Sequence, residues 1–141
     1  MPRKREISLL FGLILAGVLV WGLVGCGRSS QSEFTAGAYY SVEAERGGFR
    51  VVKMLAVERK GVHIRLYRNR FTERPPEIEP DTLTLGSPED ADAGTEHAAV
   101  LLKTFMAWKP VFIGQGSVSE EEMEGYRVWQ ESLGEYLGEE S

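Results

Sequence analysis

Hydrophobic positions along the chain follow three successive patterns. Residues 7–25 form an apolar run without a charge, broken in polarity only by Ser8. From about residue 39 the pattern becomes short alternating stretches, which predict β-strands. Tyr39-Tyr40-Ser41-Val42-Glu43 reads as a first strand and Arg46-Gly47-Gly48 as a turn. Phe49–Val57 is apolar on both faces for most of its length, the mark of a central strand. Glu58-Arg59-Lys60-Gly61 makes a hairpin, with Gly61 at the left-handed position. In the next strand Val62, Ile64 and Leu66 point inward and His63 and Arg65 outward. Pro75-Pro76 closes this region because neither residue can donate to a ladder. Thr82-Leu83-Thr84-Leu85 is predicted as a fourth strand, between Pro80-Asp81 and Gly86.

Beyond the acidic loop 87–95 the spacing turns helical. Ala98, Leu101, Leu102, Phe105 and Trp108 share one face, and Pro110 ends the element. Ala98-Ala99-Val100 also fits an extended segment, so the start of this helix stays open. Val111-Phe112-Ile113 is a short strand. Ser119 with Glu122 spells a capping box, and Val118 with Met123 a hydrophobic staple. Met123, Tyr126, Trp129, Leu133, Tyr136 and Leu137 then form a stripe that would cover the open sheet face, or alternatively meet a partner. The pattern predicts an α+β protein: an N-terminal signal or anchor helix, then a small bent antiparallel sheet covered by one or two C-terminal helices. An SH3-like half-barrel is one form such a sheet takes.

The N-terminal run has a direction. Pro2-Arg3-Lys4-Arg5 precedes it and small residues follow, the order of a secretory signal. Its last residues, Leu23-Val24-Gly25-Cys26, resemble the lipobox of bacterial lipoprotein precursors. The resemblance implies cleavage before Cys26, a diacylglyceryl group on its sulfur, and further acyl chains such as palmitate on the new amine. Gly27 at the following position, where Asp would mark retention, resembles lipoproteins sent on to an outer membrane. A run of this length also suffices to span a bilayer as an uncleaved anchor. Either reading leaves the basic cluster cytoplasmic and the rest facing outward.

The organisation that follows is a signal peptide or anchor over 1–25, a lipidated Cys and polar tether over 26–37, one α+β domain over 38–137 and a tail over 138–141. Cys26 is the single cysteine, so this domain has neither an internal disulfide nor a thiolate metal site. The stretch 49–76 resembles parts of short bacterial proteins to which no activity is attached, and it carries no function.

Charge divides the domain. Between Arg46 and Arg74 nine basic residues face only Glu58 and Glu73, whereas residues 75–141 hold fifteen acids against Lys103, Lys109 and Arg127. Internal complementarity explains such a split. So does a basic outer sheet face, with Arg50, Arg59, Lys60, Arg65 and Arg68, meeting anionic lipid or another anionic envelope polymer. Outward topology and the lack of a stacking platform argue against nucleic acid.

Catalytic chemistry is poorly represented. His63 and His97 lie 34 residues apart. Asp90-x-Asp92-x-Gly94 departs from a calcium loop, with Thr95 and Leu101 at the positions that need Gly and Glu. Gly114-Gln115-Gly116 lacks the third glycine and the lysine of phosphate-binding loops. Glu77 and Glu79 offer carboxylates without a defined spacing. The expectation is a binding or structural module of the cell envelope, held at the cell or outer membrane, with no cofactor, metal or catalytic residue and an open oligomeric state. The alternatives are an envelope enzyme with an unrecognised site, or a single-pass anchored protein whose basic sheet binds an anionic partner.

Overall fold

A computed structural model of the protein describes residues 34–139, which form one compact unit. Cys26, the 7–25 run and most of the tether lie outside the described residues. Among those described, no helix is long and apolar enough to cross a membrane.

The elements are β1 (Ala38–Glu43), β2 (Phe49–Val57), β3 (Gly61–Phe71), β4 (Thr95–Leu101), α1 (Leu102–Ala107), β5 (Val111–Gln115) and α2 (Glu124–Glu131). All strand pairs are antiparallel and the order is β4-β3-β2-β1-β5. β2 is central, as its two apolar faces require. The architecture is α+β, a five-stranded sheet with two helices.

Each face of the sheet is covered. On one side Tyr40, Val42, Val52, Met54, Val62 and Ile64 pack beneath Phe105 of α1 and Phe34. Phe34 is 8% exposed, so the folded part begins before β1 and shortens the tether. On the other side Tyr39, Val51, Tyr67 and Ile113 meet Ile78, Leu83 and Leu85 from the β3–β4 connection. Farther along that face lies α2. Gly125 permits its close approach, since a Cβ there would stand 2.5 Å from that of His97.

Several expectations need correction. His63 does not point to solvent: it is fully buried under α2. Alternation identified one covered face correctly, but the second face is covered as well. Residues 82–85 are not a strand. Pro80–Thr82 is a 3-10 turn, after which the chain runs beside β3 through the Arg68 amide to the Thr84 carbonyl (2.8 Å) and through the Asn69 carboxamide. The fourth strand is β4, which takes the extended alternative for Ala98-Ala99-Val100 and leaves a six-residue helix after it. Gly61 is not left-handed. A Cβ there would lie 2.6 Å from the Tyr136 ring, so crowding explains the glycine.

The last helix ends sooner than its stripe suggests. Leu133 takes φ 52° and is 89% exposed, and Leu137 is 56% exposed. After this turn the chain returns along β4: Leu137 N–H donates to Ala99 O at 2.8 Å, and Leu101 N–H to Leu137 O at 3.1 Å. A parallel bridge between Val100 and Leu137 thus covers part of the β4 edge. The two bonds of the expected capping box form, with Ser119 N–H on Glu122 Oε2 at 2.8 Å and Glu122 N–H on Ser119 Oγ at 3.2 Å, but they close the turn ahead of α2, whose N-cap is Met123 and has no side-chain cap.

Candidate functional site

A cleft of about 470 Å³ opens between the β1–β2 turn, the far end of β3 and the acidic loop. Val42, Leu66 and Trp108 give it apolar walls, and Arg46, Arg50 and Arg70 line it together with Glu43, Glu45 and Asp92. Local chain geometry sets each of these groups. Gly47 and Gly48 take φ 83° and 72°, which no side chain favours, and let the turn present Arg46. Arg50 and Arg70 are register partners on β2 and β3, so two guanidinium groups leave the sheet side by side. Trp108 follows α1, and its carbonyl accepts the Glu43 amide at 2.8 Å, fastening the end of α1 to the end of β1.

The electrostatics are uneven. Arg70 donates to Asp92 Oδ1 at 3.1 Å, and Lys109 pairs with Glu43 at 3.3 Å. Arg50 instead donates to carbonyls: Tyr67 O at 3.0 and 2.8 Å, and Asp92 O and Ala93 O at 3.3 Å. Burial, and then the neighbouring Arg70, pull the Arg50 pKa down against the opposing pull of Asp92. Among the described residues its charge is met by carbonyl dipoles, and no carboxylate contacts it. An anion with an apolar body would supply the missing counter-charge and lie against Trp108 and Leu66.

The five basic residues expected on one outer surface are distributed. Arg50 lines the cleft with Val42 and Leu66, both of the first face. Arg65 turns to the second face, 3.7 Å from Glu122. Arg59 is exposed in the hairpin beside Lys60, which pairs with Glu139. Arg68 pairs with Asp90 at 2.9 Å. Acidic loop and C-terminal residues thus neutralise much of the basic sheet. Glu77 and Glu79 form none of the described ion pairs.

A second polar cluster lies under α2. His63 Nδ1 and His97 Nε2 are 2.9 Å apart with rings stacked at 10°, and His63 Nε2 is 3.4 Å from Glu58. Tyr126 and Tyr136 each donate to that carboxylate at 2.5 Å, while Trp129 meets His63 edge-on. Those hydroxyl bonds, Tyr126 foremost, hold Glu58 below the ordinary carboxylate range, and Glu58 in turn pushes Tyr126 up to about 12. Burial lowers both imidazoles. Nothing in the spacing of His63 and His97 announces this meeting; it needs the β3–β4 register, which places Ala99 opposite His63. The line His97–His63–Glu58 can pass a proton, but it shares no residue with the cleft and serves to tie helix and tail to the sheet. Among the described residues, no group of three or more His, Cys, Asp or Glu is placed to hold a metal ion.

Comparison of the chain with protein-family models, with curated proteins and with solved structures found no match, so the argument for function rests on the chain's own chemistry.

Proposed function

We propose that the chain is a membrane-anchored, outward-facing lipoprotein of a bacterial envelope whose folded domain is a binding module for a small anionic ligand. Arg50, charged and partly buried without a contacting carboxylate, is the observation that carries the binding half of this reading. Arg46 and Arg70 complete the anion side of the cleft, and Trp108 takes the apolar body. The lipobox Leu23-Val24-Gly25-Cys26 carries the anchoring half. An SH3-like half-barrel remains the reading of the sheet. Its support is a four-strand meander whose fifth strand returns to the first after a short helix. An experimental structure in which β5 leaves β1 would end that reading.

Anilinonaphthalene sulfonate, an anion on an apolar ring system, is a suitable probe of the cleft. Its fluorescence should rise and saturate with the folded chain. Arg50→Gln should weaken binding about tenfold or more, since hydrogen bonds to charged groups contribute about 1.5–3 kcal/mol. Arg127→Gln, far along the chain in α2, should leave it unchanged. Equal affinity for wild type and Arg50→Gln would remove the cleft from consideration.

The anchoring half is tested by intact mass. The mature chain should begin at Cys26 and carry at least two acyl chains, each buried methylene contributing about 0.8 kcal/mol to anchoring. Cys26→Ser should leave the precursor uncut. A wild-type chain retaining residues 1–25 would replace the lipoprotein by the plain anchor.

A further inference from the structure

We propose that α1 and the start of β5 form a membrane-contact surface that lies on anionic lipid headgroups. The inference rests on the membrane-anchored reading above and adds which face of the domain meets the bilayer.

Three observations carry it. Phe112 (55% exposed), Met106 (50%) and Leu102 (39%) leave large apolar side chains in solvent. They belong to one neighbourhood. Phe112 is edge-on to Tyr40 at 6.0 Å, Tyr40 meets Phe105 at 6.4 Å, and Leu102 and Met106 flank Phe105 on its helix.

The second observation is charge. Between Glu96 and Glu120 there is no acidic residue, in the half of the chain that carries fifteen. That stretch holds Lys103 and Lys109, two of the three basic residues after Arg74. Lys103 follows Leu102 on α1, and Lys109, which pairs with Glu43 at 3.3 Å, turns at φ 53° just ahead of β5, so both stand next to the apolar residues in the chain. Apolar chains beside two lysines, in a stretch of chain that supplies no carboxylate of its own, suit an anionic interface. The other exposed apolar residues, Val128, Leu133 and Leu137, sit among Glu124, Glu131, Glu135 and Glu139 and would be repelled.

The third is where the chain enters. Phe34, the first described residue, touches Phe105 at 5.1 Å and Tyr40 at 5.3 Å, within the same ring cluster. Only residues 27–33 separate it from Cys26, a reach of at most roughly 27 Å when extended. A connection that short, joined at that point, keeps this face within reach of the surface to which an acylated Cys26 would hold it.

Hydrogen exchange on the full acylated chain in lipid nanodiscs decides the matter. With phosphatidylglycerol in phosphatidylcholine discs, amides of 102–113 should exchange about tenfold more slowly than in detergent, while α2 is unaffected. Met106→Glu with Phe112→Glu should abolish the slowing, both side chains being exposed. Lys103→Gln with Lys109→Gln should remove its dependence on phosphatidylglycerol. A chain that enters the discs with unchanged rates at 102–113 overturns the surface and leaves the anchor standing. A chain that never enters the discs overturns both. Slowing that appears without lipid and grows with protein concentration assigns the face to a second copy, against the proposal.

Discussion

Glu122→Ala is expected to cost the domain about 3–5 kcal/mol, a large part of what a small domain has. The cause is Lys53, which stands on the central strand and is 5% exposed. Its ammonium reaches Glu122 Oε1 at 2.8 Å and Oε2 at 2.9 Å, with the Tyr39 ring at 5.4 Å. Burial alone would raise the Glu122 pKa. The Lys53 ammonium, the Ser119 amide and Arg65 together outweigh it and hold the carboxyl below the ordinary range. Removing the carboxylate strands a buried cation and opens the turn that Ser119 and Glu122 close ahead of α2. Lys53→Met combined with Glu122→Leu should cost far less, because the buried ammonium goes with its partner and only the more exposed Arg65 loses a carboxylate. Denaturant melts of the three chains separate these outcomes. A loss under about 1 kcal/mol for Glu122→Ala would mean that water reaches Lys53.

Stability should also fall as the solution is acidified below about pH 6.5. His63 and His97 are both held below the usual imidazole value, first by burial; for His97 the charge of His63 adds to this, and for His63 the carboxylate of Glu58 opposes it. The unfolded chain therefore takes up protons first. Stability present above pH 6.5 drains away as pH falls toward the depressed folded values, by up to about 1.4 kcal/mol per pH unit for each imidazole. Other titrating neighbours do not blur this window. Glu58 and Glu122 are held below their ordinary values and matter only in more acidic solution, and the hydroxyl of Tyr126 ionises near 12. Urea melts between pH 7.5 and 5 should show the slope, and His97→Gln should roughly halve it. A flat profile would mean that both rings are solvated.

What the hydrophobic pattern made legible, and what it did not, has a physical cause. Phe49–Val57 announced a central strand because both its faces are apolar; the reciprocal Ser119–Glu122 pair was legible because it is local, but it closes a turn, and α2 starts only at Glu124. His63 was illegible because alternation distinguishes two faces without saying whether the polar one is bare. Here Tyr126 and Trp129 cover it. Leu133 fell on the helical stripe, yet the positive φ there turns the chain away. Arg50 and Arg70 became neighbours only through a register carrying an irregularity beside Arg50, which no local spacing encodes.

The return of residues 136–139 along β4 bears on how the domain comes into being. Tyr136 closes over Gly61 and the His63 ring, Leu137 hydrogen-bonds to β4, and Glu139 pairs with Lys60 in the β2–β3 hairpin. β1 likewise waits for β5. The meander made early in synthesis therefore keeps an open strand edge and an uncovered polar cluster until residues 136–139 have been added. On the anchored reading proposed above, the chain would stay loose while crossing the membrane and lock only once residues 136–139 have arrived on the other side.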